Sequence, residues 1–168
     1  MKIAIVFESH SGNTKLLAEA IKDCIKPEDL LYFAGVEEGI EADFYFVGSW
    51  TQKGMCTPKI AEFLQSLKGQ KIAFFGTAGY GGSVDYYKAL VERIKSNLDS
   101  TNEFVDWFYC QGKMPQSVRD RYEKMITEHP EDKNLKVSLE NFDAALTHPD
   151  EADLKAVKAW AEKIVSEL

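Results

Sequence analysis

A cluster of hydroxyl and amide side chains follows the first apolar segment of the chain. The apolar run ends at Phe7 and Glu8, and the next six residues are Ser9, His10, Ser11, Gly12, Asn13 and Thr14. Residues 16–24 then show the apolar spacing of a helix. A turn between a strand and a helix directs backbone N–H groups and the helix dipole at one point, which suits a phosphate. Because the turn lacks Lys and Arg, neutral donors are expected to hold that phosphate.

Two further loops combine aromatic side chains with glycines. Trp50 follows the predicted third strand, and Tyr80 lies in a glycine-rich loop after the fourth. Exposed aromatic side chains at strand ends are costly unless a planar or apolar group covers them. Glycines let the backbone approach such a group closely, and they stand at Gly48, Gly54, Gly76, Gly79, Gly81 and Gly82. The pattern indicates a flat ring between Trp50 and Tyr80, tethered by the phosphate.

Alternating apolar strands and amphipathic helices position these three loops. The predicted strands are 3–7, 30–33, 43–47, 72–75 and 104–109, and helices follow all but the second. The pattern predicts an α/β fold, a three-layer α/β/α sandwich around a five-stranded parallel sheet in the flavodoxin-like order 2-1-3-4-5. In such a sheet the carboxyl ends of strands 1, 3 and 4 share one edge. The three loops are therefore expected to converge.

One segment is additional to the five strands and their connecting helices. Residues 111–149 separate the last strand from the last helix, which is predicted over about 151–165. Apolar residues at helical spacing predict two short helices there, so the segment is interpreted as an insertion in a single domain spanning 1–168. Lys113 and Met114, at its start, are candidates for contact with a ligand or partner, although loop packing is favoured.

The three loops resemble those of the flavodoxin family. Residues 9–14 match the family pattern Thr/Ser-x-Thr-Gly-x-Thr with serine at the first and third hydroxyl positions, Gly48-Ser49-Trp50 matches the second loop, and 76–82 match the third. The resemblance covers 1 to about 110 and the last helix. It implies flavin mononucleotide (FMN) as cofactor, held by Ser9, His10, Ser11, Gly12, Asn13, Thr14, Ser49, Trp50, Thr51, Gly54, Thr77, Ala78, Gly79, Tyr80, Gly81 and Gly82. The third loop lacks an acidic residue that many flavodoxins carry, and the simplest family pattern has no insertion.

The resemblance implies an electron carrier that delivers low-potential electrons to a partner reductase docking near the flavin edge. The alternative is an NAD(P)H-dependent FMN or quinone reductase in which the insertion shapes a substrate pocket. A third possibility is an interaction module without flavin. No catalytic residue is predicted, because neither a nucleophile–histidine arrangement nor a GxxxxGK[ST] loop is present. A receiver domain, which accepts a phosphoryl group on an Asp, would need that Asp at the end of strand 3. This sequence has Gly48 and Ser49 there, so the receiver class is excluded.

Charge and cysteine content narrow the function classes. The net charge of −7 argues against binding to nucleic acid or anionic membranes. Several carboxylates about 10 Å from a flavin would lower its last reduction potential by about a hundred millivolts. Cys24, Cys56 and Cys110 form no CxxC pair, which favours reduced thiols and no metal site, with Cys56 a structural thiol. No apolar stretch approaches about 18 residues, and no leader is evident, so a cytoplasmic location is expected.

Overall fold

The computed structural model describes residues 1–81 and 83–168, and within them the chain forms five strands and six helices. In chain order they are β1 (Ile3–Glu8), α1 (Asn13–Lys22), β2 (Leu30–Ala34), β3 (Phe44–Trp50), α2 (Pro58–Ser66), β4 (Lys71–Ala78), α3 (Val84–Lys95), β5 (Glu103–Gln111), α4 (Gln116–Glu128), α5 (Lys133–Ala145) and α6 (Glu151–Glu167). All neighbouring strands pair in parallel in the order β2-β1-β3-β4-β5. The predicted fold class and strand order are confirmed.

The sheet separates two apolar layers. Alternate residues of a strand point to opposite faces, so Ile5 packs with the helices α1 and α6, whereas Val6 packs with α2 and α3. Both side chains are fully buried, as parallel strands covered on both faces require. Because helices cover both faces, a ligand can reach the sheet only at the ends of the strands.

Strands β3, β4 and β5 extend further at their carboxyl ends than the sequence predicted. β3 continues to Trp50, which pairs with Thr77, and β4 continues to Ala78, which pairs with Gln111. The predicted strand ends at 47, 75 and 109 are therefore wrong. The predicted ends of β3 and β4 stand directly before Gly48 and Gly76, but both glycines lie inside the strands.

These two glycines accommodate aromatic rings of the neighbouring strand. A Cβ at Gly48 would lie within 3.0 Å of the Phe75 ring, and one at Gly76 would lie equally close to the Tyr109 ring. Such contacts cannot form without displacing the rings, which are fully buried or nearly so. The expectation that these two glycines allow approach to a ligand is replaced by a packing role in the core.

The insertion forms two helices of 13 residues each, longer than predicted, and α5 anchors it. Phe142 of α5 is 1% exposed, and the Asn141 side chain donates to the Gly79 carbonyl at 3.0 Å. No residue of α4 is buried. Arg119 of α4 instead forms an ion pair with Asp143 of α5 and lies over the Phe142 ring. The insertion therefore packs through α5, and α4 rests on α5.

Helix α6 begins with a capping box. The Asp150 carboxylate accepts from the Asp153 N–H, and Asp153 accepts from the Asp150 N–H, both at 2.9 Å. His148 Nδ1 lies 2.6 Å from the same Asp153 carboxylate. Helix capping thus accounts for this cluster of two carboxylates and a histidine. In the described part of the chain, none of the helices has the length and hydropathy needed to cross a bilayer.

Candidate functional site

Three threonines link the loops at the carboxyl edge of the sheet. The hydroxyls of Thr14 and Thr77 lie 3.0 Å apart and are buried, and either one can donate. The Thr51 hydroxyl donates to the Thr77 carbonyl at 2.9 Å. Thr77, the penultimate residue of β4, therefore joins the turn after β1 to the segment after β3. The predicted convergence of the three loops is present as direct hydrogen bonds.

The turn after β1 contains backbone N–H groups that have no hydrogen-bond acceptor among the described residues. Gly12 adopts φ +90°, a left-handed conformation that reverses the chain immediately before α1. The Ser9 hydroxyl accepts from the Lys15 N–H at 3.2 Å. Among the described residues no acceptor contacts the backbone N–H groups of 11–14. Free N–H groups at a helix start are what a bound anion requires, and phosphate binding at this turn stays a prediction.

Asn13 connects this turn to the insertion. Its side-chain NH2 donates to the Lys113 carbonyl at 2.9 Å and to the Ser11 hydroxyl at 3.2 Å. Its Oδ1 atom is buried and has no hydrogen-bond partner among the described residues. A buried acceptor of this type is rare in folded proteins unless a ligand or water donates to it. The side chain therefore attaches the turn to the insertion through its NH2 group, while its oxygen has no partner among the described residues.

Two aromatic side chains from separate loops line the site. Trp50, at the end of β3, is partly buried and packs against His10, with ring centroids 5.1 Å apart. Tyr80 is 53% exposed and meets the Tyr86 ring edge-on at 5.5 Å. Trp50 and Tyr80 both line the same cavity, as expected for residues that would enclose a flat ring.

The segment after β3 is a tight two-residue hairpin. Gln52 and Met55 exchange backbone hydrogen bonds at 2.8 and 3.1 Å, and Lys53 and Gly54 both have positive φ. Two consecutive positive φ angles define a type I′ turn, which favours Asn or Gly, so Lys53 is held in an uncommon conformation. The Arg93 guanidinium donates to the Gly54 carbonyl at 2.9 Å. The hairpin is thereby attached to α3.

A cavity of about 630 Å³ opens between these loops and α4. This volume lies in the usual range for small-molecule sites. The predicted site residues that line it are His10, Ser11, Asn13, Trp50, Thr51, Gly54, Thr77, Gly79 and Tyr80. Ser9, Gly12, Thr14, Ser49, Ala78 and Gly81 do not line it. Gly82 lies outside the described residues.

Two of the residues that do not line the cavity have structural roles instead. The Ser49 side chain is fully buried, donates to the Trp50 carbonyl at 2.7 Å and accepts from the Thr57 N–H at 3.0 Å. Ala78 is part of the apolar core. Because β3 and β4 are longer than predicted, both residues lie within strands and face the protein. Their contacts with a cofactor stay a prediction.

Helix α4 contributes a wall of the cavity that sequence analysis did not assign. The lining residues on α4 are Ser117, Val118, Arg121 and Tyr122. Lys113 and Met114, which the sequence offered as candidates for ligand or partner contact, also line the cavity. The remaining lining residues are Gln52, Lys53, Tyr86, Gly112 and Pro115. Val118 and Tyr122 stand four residues apart and share one face of α4. That spacing is visible in the sequence, but it was assigned only to packing within the insertion.

The charge on the surface is segregated. None of the 27 Asp and Glu residues lines the described cavity, whereas Lys53, Lys113 and Arg121 do. A larger open groove of about 920 Å³, beside α2, carries Glu37, Glu38, Glu41 and Glu62 together with Lys59 and Lys68, and none of the predicted site residues. The net charge of −7 therefore does not describe the electrostatic surroundings of the cavity.

The three cysteines differ in their access to solvent. Cys56 and Cys110 are buried, at 3% and 5% exposure, and Cys24 is partly exposed. Burial raises the pKa of the Cys56 thiol to about 11, and burial also raises the pKa of the Cys110 thiol, aided by nearby carboxylates. A thiol with that pKa is almost entirely protonated at neutral pH. The geometry supports the structural role predicted for Cys56.

Alkylation with iodoacetamide at pH 8 is expected to modify Cys24 first. Cys56 should react at least about a hundredfold more slowly in the folded protein, because it is inaccessible and only about one molecule in a thousand is ionised at that pH. Peptide mass spectrometry over time measures the order, and the urea-unfolded protein is the control, in which the rates converge. Faster labelling of Cys56 than of Cys24 in the folded state would contradict the structural assignment.

The fold and the site define a class of protein, a doubly wound α/β domain with a cavity at its topological switch point. The flavodoxin domain family matches residues 4–162. The chain belongs to this family.

Similar proteins span the chain. It is 35% identical to a flavodoxin-like domain-containing protein, BilS, of Clostridium symbiosum (strain WAL-14163), over 93% of this chain and 92% of that one. The oxidised flavodoxin 2 of Bacillus cereus shares the fold with a TM-score of 0.60, 18% identity and full coverage of both chains. A Lactobacillus acidophilus NCFM flavoprotein solved in complex with FMN has a TM-score of 0.52 and 21% identity, over 73% of this chain and 98% of that one.

Proposed function

We propose that this protein binds FMN in the described cavity and transfers electrons to a separate redox protein. One observation carries the proposal: three loops, joined by hydrogen bonds through Thr77, open onto a single cavity with a donor-rich turn and two aromatic side chains. Family membership and the FMN found in the Lactobacillus acidophilus flavoprotein support the choice of cofactor.

The residues at the turn fit a phosphate. The backbone N–H groups of 11–14 have no acceptor among the described residues, and the hydroxyl of Ser11 lies beside them. Several neutral donors at a helix start can hold a phosphate without a nearby cation. The hydrogen bond from Asn13 to the Lys113 carbonyl attaches the turn to the insertion, which would hold these donors in place around a phosphate.

The remaining residues fit the sugar chain and the ring of FMN. Asn13 Oδ1, buried and unpartnered among the described residues, would accept from a hydroxyl of the ribityl chain. Trp50 and Tyr80 would cover the ring and exclude water from it. When bound, FMN supplies one- and two-electron redox chemistry, and the protein tunes its potential.

Two opposing sets of charges would set the reduction potential of bound FMN. The acidic surface lowers it, and we propose that the protein delivers electrons at low potential for this reason. Lys53, Lys113 and Arg121 oppose that effect, since a cation about 10 Å away at an effective dielectric near 40 raises the potential by roughly 35 mV. These cations line the cavity itself, whereas the glutamates line the groove beside α2, so the cations would lie nearer to a bound flavin. They therefore limit the decrease in its reduction potential.

A second candidate function follows from α4. This helix lines the cavity through Ser117, Val118, Arg121 and Tyr122, so a substrate could be held between the helix and a bound flavin. That arrangement favours an NAD(P)H-dependent FMN or quinone reductase over an interaction module without flavin.

Anaerobic reduction of the FMN-loaded protein distinguishes the carrier from the reductase. For a carrier, we expect dithionite to reduce the flavin fully, while stoichiometric NADH and NADPH leave its absorbance near 450 nm unchanged for minutes. The reduced protein should then pass electrons to a one-electron acceptor. Reduction by either nicotinamide nucleotide within seconds, with sustained turnover of a quinone, would replace the carrier function with the reductase function.

A further inference from the structure

Three cations surround the opening of the candidate site. Lys53, Lys113 and Arg121 are all exposed, and none of them forms an ion pair within the described part of the chain. They come from three separate segments, the hairpin after β3, the start of the insertion and α4. No carboxylate among the described residues lines the cavity between them. The lining of the cavity therefore carries positive charge on a protein whose net charge is −7.

The positions of these cations are fixed by the fold. Lys53 occupies a type I′ turn closed by the hydrogen bonds between Gln52 and Met55. Arg93 holds the following peptide through the Gly54 carbonyl. Both central residues of the turn have restricted backbones, so the lysine projects from a defined point of the rim and not from a mobile loop.

Helix α4 fixes the second cation in a comparable way. The Arg121 guanidinium lies 5.9 Å from the centroid of the Tyr122 ring, and the Arg119 ion pair with Asp143 holds the helix on α5. Tyr122 is partly exposed, and Tyr80, which lines the same cavity, is 53% exposed. Aromatic and arginine side chains at the centre of a surface are typical of protein interfaces.

We infer that this face, formed by Lys53, Tyr80, Lys113, Arg121 and Tyr122, docks an acidic surface of the redox partner. The inference rests on the proposed function and specifies its partner. Complementary charge guides encounter and orientation, so cations around the opening select a partner with carboxylates around its own redox centre. The cations are exposed and lie on separate segments, which suits an extended protein surface better than a small enclosed anion. A partner chosen by the net charge of −7 would instead be basic.

The oxidation of the reduced FMN-loaded protein by charged probes tests the local sign of charge. Ferricyanide is the anionic oxidant, and tris(phenanthroline)cobalt(III) is the cationic oxidant, each followed by stopped flow. The double variant Lys53→Gln/Arg121→Gln should lower the ratio of the ferricyanide rate to the cobalt rate about tenfold at roughly 20 mM ionic strength. At about 0.5 M salt the change should fall below about threefold because the charges are screened.

The matched control removes the same charge from the opposite edge of the sheet. Lys2 precedes β1 and Lys163 lies near the end of α6, and both side chains are exposed. Lys2→Gln/Lys163→Gln should change the ratio by less than about twofold. Equal changes in the two double variants would overturn the inference, since net charge alone would then govern access.

A second experiment distinguishes an acidic protein from a small anion. Poly-L-glutamate of about 50 residues should slow ferricyanide oxidation of the unmodified protein about fivefold at roughly 20 mM ionic strength, whereas free glutamate at the same carboxylate concentration should not. Equal inhibition by free glutamate would overturn the docking of a protein in favour of a small-anion site. Failure to bind FMN, or direct reduction by NAD(P)H, would instead overturn the proposed function, so the two failures are separable.

Discussion

Replacement of Gly12 by valine is expected to weaken FMN binding by at least about thirtyfold, which corresponds to about 2 kcal/mol. Gly12 has φ +90° and precedes α1 directly. A β-branched residue is strained at that angle, so the turn must rearrange. The N–H groups of 11–14 would then no longer converge, and each hydrogen bond lost to a charged phosphate costs about 1.5–3 kcal/mol. A Cβ at Gly12 has no neighbour within 4 Å, so crowding does not contribute.

Gly39→Val is the matched control for this change. Gly39 has φ +78°, and a Cβ there also has no neighbour within 4 Å. Both variants should lose a similar free energy of unfolding, about 1–3 kcal/mol, measured by urea denaturation of the apoprotein. Only Gly12→Val should raise the Kd for FMN. Unchanged affinity in Gly12→Val, or an equal loss in both variants, would contradict the phosphate site at this turn.

Replacement of Gly48 by alanine is expected to destabilise the apoprotein by about 3 kcal/mol. Gly48 lies in the central strand β3, where an added Cβ would overlap the fully buried Phe75 ring of β4. Overpacking of this kind usually costs about 1–3 kcal/mol, and a fully covered sheet leaves the ring little freedom to move. The melting temperature of a chain of this size should fall by about 10 °C.

Gly35→Ala serves as the control for the stability measurement. A Cβ at Gly35 would lie 3.8 Å from the Phe7 carbonyl oxygen, an ordinary contact, so its free energy of unfolding should change by less than about 0.5 kcal/mol. The measurement also distinguishes core packing from the ligand-approach role that the sequence predicted for Gly48. If Gly48→Ala left the stability of the apoprotein unchanged but weakened FMN binding, the packing role would be wrong.

The fold was predictable because the periodicity of apolar residues is strong. Continuous apolar strands and helical stripes such as Ile60 and Leu64 are sufficient to predict a doubly wound sheet and its order. The start of α2 reflects local chemistry, because the Thr57 hydroxyl accepts from the Ile60 N–H. Strand ends were not predictable, because glycine terminates some strands and, as at Gly48, accommodates a neighbouring ring in others.

The site was predictable only in part, for a related reason. Loops at the ends of parallel strands converge by topology, and so the sequence located His10, Trp50 and Tyr80 correctly at one cavity. The contribution of α4 depends on how α5 docks, through Asn141 and Phe142, and such tertiary contacts leave no pattern in the sequence. Charge segregation is also invisible in a net charge, which sums groups that the fold places on different surfaces.

Titration of the apoprotein with FMN, followed by the fluorescence of the flavin, tests the central claim most directly. The three-loop site predicts binding of one FMN per chain with a Kd below about 1 μM, and strong quenching of flavin fluorescence by Trp50 and Tyr80. Riboflavin, which lacks the phosphate, should bind at least about a hundredfold more weakly. Absence of binding, or equal affinity for riboflavin and FMN, would contradict a phosphate-anchored flavin at this site.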